Sequence, residues 1–360
     1  MAVCLIHAYA NLGHEQAVAA SIRERLPQMY LTLSSEVLPE IREFERTSMT
    51  VANAYVMPVL DRYLSTLETG LGAFDIRVPL LTMQSNGGVM NAAQARARPV
   101  QLIESGPAAG VIGAAAMARR LGVENVISLD MGVTTTKASV IEEYEIRRSS
   151  EFEVGGPISR ESRLYKGGGY LLRTPAIDIA EVGAGGGSIL TVDDAGALHV
   201  GPHSAGAVPG PVCYGNGGTA PTLTDANMTL GYLAQDRLPS GLRLDAAKAR
   251  GAISMQIASA LGLPLDEAAY GAYLVGCAGI SRAVRAVTIE RGRDPRDFTL
   301  IAFGGNGPLF AAEMARTLEI GRVLVPPAAG GLQCRRSSRS RARASPCQNT
   351  QCAVGGIDRG

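Results

Sequence analysis

The chain has 360 residues, of which 46% are hydrophobic and 19% charged, enough to bury a sizeable core and to hold one large domain plus part of another. A formal net charge of +1, no Trp and only 5% aromatic residues leave neither a field that attracts nucleic acid nor rings interleaved with basic residues for stacking on it. Apolar runs are broken by Gly, Pro or charge before the roughly 18 to 20 residues that cross a bilayer, and no basic n-region follows Met1. The expectation is a cytoplasmic protein with no nucleic-acid and no membrane partner.

AVCLIHAYAN, after Met1, reads as a buried strand, which implies missing upstream chain, and HEQAVAASIRERL reads as a helix. YLTLSSEVLPEI gives an extended segment and a turn. A helical pattern from about Arg42 to Leu67 follows, which Pro58 should kink or divide. VPLLTMQSNGGVM is a strand running into a polar glycine turn. In VQLIESGPAAGVIGAAAMARRLG a strand leads into a helix with Ser105 as N-cap, Pro107 in the first turn and Gly122 at the stop. VISLDM and ASVIEE are strands joined by the turn GVTTTK. Residues 151–224, rich in Gly and Pro, read as an ordered, loop-rich insertion. Leu244 to Leu261 and Leu265 to Arg291 look helical, and FTLIAFGGNGPLFAAEMARTLEIGRVLVPP reads as a complete βαβ unit. From about residue 331 the Arg- and Ser-rich tail loses all periodicity and cannot join a core. An out-of-frame or artificial terminus is the favoured reading over a basic tail for RNA or membrane.

Three segments carry candidate chemistry. In DMGVTTTK, Asp130 at the end of a buried strand could hold hydrated Mg²⁺ or orient a water. The turn offers amides and hydroxyls of Gly132, Thr134, Thr135 and Thr136 to phosphate oxygens, and Lys137 offers charge. Tight β-turns use the same residues for conformational reasons alone. In FGGNGP, Gly304, Gly305 and Gly307 would let a ligand approach backbone at a helix N-terminus, or would serve close strand-to-helix packing. The spacing is not that of a dinucleotide fingerprint. In the insertion, Asp178, Glu181, His203, Cys213 and Asp225 could ligate metal, but no geometry is specified. His203 reads better as a loop histidine, Cys213 as a small buried residue, and Asp225 equally as a helix N-cap. Ser105, Gly106 and Gly110 read as packing more than as an anion site, and QSNGG as a polar turn.

Taken in order, ESGPAAG, DMGVTTTKAS, DIAEVGAGGGSI, SAGAVPGPVCYG with its TDAN continuation, and FGGNGP resemble the hydantoinase A family, whose relatives include ATP-dependent 5-oxoprolinase and acetone carboxylase. The resemblance runs from about residue 2 to 329. It implies an α/β fold: the C-terminal, ribonuclease-H-like half of an actin-like ATPase with a Gly-rich insertion, residues 81–330, preceded by the tail of the N-terminal half and a connector helix in residues 1–80. It also implies ATP and Mg²⁺ as cofactors, a hydantoinase B-type partner subunit, and a small cyclic amide as substrate. The carbonyl of a hydantoin or 5-oxoproline type ring would be activated by phosphoryl transfer to oxygen. Asp130 and Lys137 would be catalytic, Gly132, Thr134 to Thr136, Gly304, Gly305 and Gly307 would bind nucleotide, and Asp130 with Asp225 would bind metal.

A ketone carboxylase subunit is the alternative, and an inactive remnant that only docks a partner is another. Three departures bear on the last. The family's upstream Asp-x-Gly-Gly-Thr-x-Thr lip is absent, and the chain leaves the family register after about residue 330. Val133 replaces a glycine, which would strain a positive φ and put a side chain in the path of phosphate.

Overall fold

In the computed structural model of the protein, residues 1–154, 170–233, 241–327 and 329–331 are described. The chain divides into two compact units, one holding Met1–Gly113 and Arg147–Asp178, the other Ala114–Ile146 and Ile179–Leu332. The expected division at residue 80 is therefore not where the chain's own contacts divide it. The expected tail, from residue 332 on, lies outside the described residues, as does 155–169 of the expected insertion.

In the first unit the long opening strand is reduced to Ala2–Val3, paired in parallel with Thr32–Leu33. The reason is at Leu5. Its N–H donates to the buried Glu15 carboxylate (2.8 Å) and its carbonyl accepts from the buried Arg46 guanidinium (2.9 Å), so two side chains take the groups that a ladder would use. Helix Gly13–Arg25 forms as its sequence indicates. Ser34 and Ser35 start a short helix, Ser34–Val37, and their hydroxyls also bind Glu15. Helix Glu43–Ala73 continues through Pro58, so the proline does not divide it. Buried anchors on both sides of the proline, Met49 and Asn53 before it and Leu64 after it, hold the two segments in one element and override the local cost. The Asn53 amide is fully used, donating to Thr32 Oγ1 and the Ala97 carbonyl and accepting from the Val100 N–H.

The chain passes to the second unit within helix Ser105–Leu121, which begins at Ser105 itself, after Glu104 at φ 65°, and ends before Gly122 at φ 66°. Only residues without a Cβ reach such a φ at no cost, which is why glycine sits at the stop.

The second unit is built on a mixed sheet in the order Ala180–Val182, Thr136–Glu142, Val126–Met131, Thr299–Phe303, Arg322–Leu324. The first three strands are antiparallel to their neighbours and the last three run parallel. Thr299–Phe303, helix Gly307–Thr317 and Arg322–Leu324 form the βαβ unit that the sequence indicates. Ala180–Val182, within the span of about 151–224 expected as an insertion, is a strand of the main sheet, with Ala180 and Val182 buried in alternation.

One core is shared by the sheet (Ile127, Leu129, Val140, Leu300), helix Leu265–Val287 and helix Gly307–Thr317, with the Tyr273 ring stacked on Phe310 at 5.1 Å. Each such aliphatic side chain contributes about 1.5–3 kcal/mol by leaving water. Among the described residues one helical stretch, Leu265–Arg291, is long and apolar enough to cross a membrane, although the sequence pattern seemed too interrupted. Its window is 56% buried, as in a core helix.

Candidate functional site

Asp130 and Lys137 are paired across the hairpin of strands Val126–Met131 and Thr136–Glu142, and Glu181 pairs with Lys137 on the next strand. Direct cross-strand neighbours project from the same face, so a carboxylate, an ammonium and a second carboxylate form a row at the foot of the turn. Lys137 Nζ lies 2.8 Å from Glu181 Oε1 and donates to Thr135 Oγ1 at 2.8 Å. The ammonium therefore reaches the turn, with a counter-ion that the sequence reading left among several insertion residues.

The turn itself, residues 132–135, is closed by the Gly132 N–H on the Thr135 carbonyl at 3.0 Å. Its three successive carbonyls, Met131, Gly132 and Val133, are held from elsewhere. Met131 O accepts from the Asn306 N–H (3.0 Å), Gly132 O from the Gly186 N–H (3.1 Å) and Asn306 Nδ2 (3.1 Å), and Val133 O from the Gly187 N–H (2.7 Å). The amides of Val133, Thr134 and Thr135, in contrast, have no hydrogen-bond partner among the described residues. Three consecutive unpaired donors in a loop whose Gly132, Val133 and Thr135 carbonyls are occupied form a concavity suited to an anion.

The glycine loop that docks on the turn is dictated by contact distance. A Cβ on Gly185 or Gly186 would overlap the Val133 carbonyl or the Asn306 side chain, and one on Gly187 would lie 2.8 Å from Val133 Cγ1. Thr224 anchors this loop, its N–H and Oγ1 both 2.8 Å from the Gly186 carbonyl.

Several expected roles change. Val133 is not among the residues with positive φ, and a methyl of its side chain lies against Gly187, so the strain expected of a β-branched residue here does not arise. Thr136 is fully buried and donates its hydroxyl to the Ala184 carbonyl at 2.6 Å, so it pins strand to loop and its hydroxyl is not offered to a ligand. Thr134 is exposed and Thr135 half-buried, both within the turn. Gly304, at φ 81°, packs against Asp130 and Met131, and Gly307 is buried 3.4 Å (as an ideal Cβ) from Leu129 O. Both answer to close packing. Gly305 is exposed, with open space where a side chain would be.

Asp225 is corrected as a metal ligand. It is fully buried, and its oxygens accept from the Val212 N–H (3.1 Å), the Cys213 N–H (2.8 Å), the Thr222 N–H (2.9 Å) and Thr222 Oγ1 (2.8 Å). Thr222 is the N-cap of helix Leu223–Thr229 and Asp225 its capping-box partner, not the cap itself. Three of these donors sit on Oδ2 and one on Oδ1, so the carboxylate is already engaged as the anchor of a buried helix start. No group of three or more His, Cys, Asp or Glu able to hold a metal occurs among the described residues. His203 is exposed, and His199 pairs with Asp193 at 2.7 Å on an exposed hairpin. Burial pushes the Cys213 thiol far above its ordinary range, aided by the Asp225 charge, which argues against a nucleophile.

Glu181, Asn306, Thr224 and Gly185–Gly187 are the site residues that sequence reasoning missed or left unassigned. Alternation in AEV, ahead of the glycine run, was the available signal for Glu181.

The sequence model of the hydantoinase/oxoprolinase family matches residues 46–334. The chain is 39% identical over 333 residues to the caprolactamase subunit alpha of Pseudomonas jessenii, covering 92% of this chain and 46% of that protein. It is 34% identical over 347 residues to 5-oxoprolinase 1 of Arabidopsis thaliana, covering 90% of this chain and 26% of the other. Among solved structures it is similar to nucleotide-free acetone carboxylase, with a TM-score of 0.77 at 26% identity over 92% of this chain and 45% of that one. The chain thus spans about half the length, or less, of the relatives it matches.

Proposed function

This chain belongs to the hydantoinase/oxoprolinase family, and on that premise we propose that it carries one phosphate-binding lip of an actin-like ATPase that opens a cyclic amide of the hydantoin or 5-oxoproline type. The observation that carries the proposal is the run of unpartnered amides at Val133, Thr134 and Thr135, next to Asp130 and Lys137. When bound, ATP supplies a phosphoryl group that turns an unreactive amide carbonyl oxygen into an activated one.

This chain's part is binding and orientation. The three amides receive phosphate oxygens, as loops of this kind do. Lys137, steadied by Glu181, adds a positive charge beside Thr135. Asp130 fits a hydrated Mg²⁺ or an oriented water, because its carboxylate is partly exposed at the end of a strand beside the turn. Asp225 fits neither. The cytoplasmic setting and a B-type partner subunit belong to the same proposal; the relative in Pseudomonas jessenii is itself one subunit, alpha.

The likeness to acetone carboxylase favours one second reading, a subunit that activates a ketone for carboxylation at the same site. Bicarbonate-dependent turnover would separate the two. Binding itself is tested by titrating MgATP into the intact protein by calorimetry. Saturable one-site binding that weakens about tenfold in Lys137→Met supports the proposal, and absence of any binding overturns it.

A further inference from the structure

Two hydrogen-bond chains end at the unpartnered amides of the turn. In a trans peptide the C=O and N–H point in opposite directions, so whatever fixes the carbonyl also aims the amide. The Gly132 carbonyl shares its peptide with the Val133 N–H and is held by Gly186 N–H and Asn306 Nδ2. The Val133 carbonyl shares its peptide with the Thr134 N–H and is held by Gly187 N–H. The second chain continues one peptide further back. The Gly187 N–H belongs to the same peptide as the Gly186 carbonyl, which accepts from both the N–H and Oγ1 of Thr224. Thr224 therefore lies at the head of a line of aligned peptides, from Thr224 through Gly186–Gly187 and Val133–Thr134, ending in a free N–H.

We infer that Thr224 and Asn306 are positioning residues of the anion site: neither touches the ligand, and together they set the direction of the Val133 and Thr134 amides from behind. The inference rests on the reading of this turn as a phosphate site. Its physical content is preorganisation. A free turn would have to rotate two peptides against their neighbours to present both amides, whereas this one is already fixed, and aligned hydrogen bonds polarise each other along the line. Burial supports it: Thr224 is 4% exposed and Asn306 9%, yet Thr224 spends its hydroxyl on the Gly186 carbonyl and Asn306 its side-chain amide on the Gly132 carbonyl. The oxygen of Gly132 demands a donor, which fixes the Asn306 side-chain amide with nitrogen toward the turn.

The test uses the intact chain and three probes in calorimetry: MgATP, inorganic phosphate and adenosine. Thr224→Val removes one donor at nearly constant volume, and Thr224→Ser restores it. Asn306→Asp keeps the size of the side chain but offers Gly132 O a repelling oxygen. The expected result is about tenfold weaker binding of MgATP and phosphate in Thr224→Val and Asn306→Asp, unchanged adenosine binding, and recovery in Thr224→Ser. Wild-type affinity for phosphate in both variants would overturn the inference and leave the functional reading intact. Equal weakening of all three probes would also overturn it, since that is what general loosening does. A wild-type chain that binds neither MgATP nor phosphate would overturn the reading and the inference together.

Discussion

The α-carbon of Gly304 lies so close to the Asp130 carboxylate and the Met131 backbone that no β-carbon fits between them. Two independent constraints therefore select glycine, since Gly304 also has φ 81°. Gly304→Ala should cost about 2–5 kcal/mol, adding left-handed strain to overlap in a packed site, as measured by the shift of the urea unfolding midpoint. Gly305→Ala is the contrast. With open space at its Cβ it should change stability by less than about 0.5 kcal/mol. If it nevertheless weakens MgATP binding, the ligand passes over Gly305, and unchanged binding would remove that residue from the site.

The Lys137 and Glu181 pair should matter more for binding than for stability. Their side chains are 15% and 40% exposed, so solvent screens the attraction, and a double-mutant cycle with Lys137→Met and Glu181→Gln should give a coupling below about 1 kcal/mol. Lys137→Met alone should weaken MgATP binding about tenfold. A large coupling in unfolding, with binding unaffected, would make the pair purely structural.

What the sequence makes legible here is local. The hairpin turn could be read because a strand of buried residues stops at DMG, and the βαβ unit because FTLIAF and GPLFAAEMART have different periods on either side of a glycine pair. What could not be read is nonlocal. Asn306 reaches Gly132 across 174 residues and Thr224 reaches Gly186 across 38, distances over which no spacing rule operates. Local rules were also outbid by tertiary contacts where Pro58 does not divide its helix and at Leu5, whose strand is broken by Glu15 and Arg46. Val133 shows the same limit. Its residue type argued for strain, while the backbone it adopts carries none.

Asp225 should prove to be a structural residue. Asp225→Ala leaves the Val212, Cys213 and Thr222 amides without their acceptor inside a fully buried helix end, at about 3 kcal/mol or more. The Mg²⁺ dependence of nucleotide binding should not change in whatever fraction remains folded. A shifted Mg²⁺ dependence would return Asp225 to the metal site.

The thiols should react unequally. Burial raises Cys213 strongly and pushes Cys277 up to about 12, so neither carries appreciable thiolate near pH 8. Iodoacetamide labelling of the native protein at that pH, mapped by mass spectrometry, should modify Cys4, which is half-buried, well before either of them. Early modification of Cys277 would mean that helix Leu265–Val287 opens.

Stability should fall in acid through Glu15. Burial pushes its carboxyl up, but the hydrogen bonds from Ser34, Ser35 and Leu5 together outweigh that and hold it below its ordinary value of 4.5. A depressed folded-state value means that the unfolded chain binds the proton more tightly. The contribution is therefore complete above the unfolded value and disappears as pH drops through the folded one. Urea midpoints of the wild type should be level from about pH 7 to 6 and decline below about pH 5. Glu15→Gln should be less stable at neutral pH, because an amide cannot accept all four bonds, and the gap to wild type should close as acid protonates Glu15. Parallel curves down to low pH would show that the folded and unfolded states hold this proton equally, and would remove Glu15 from the acid response.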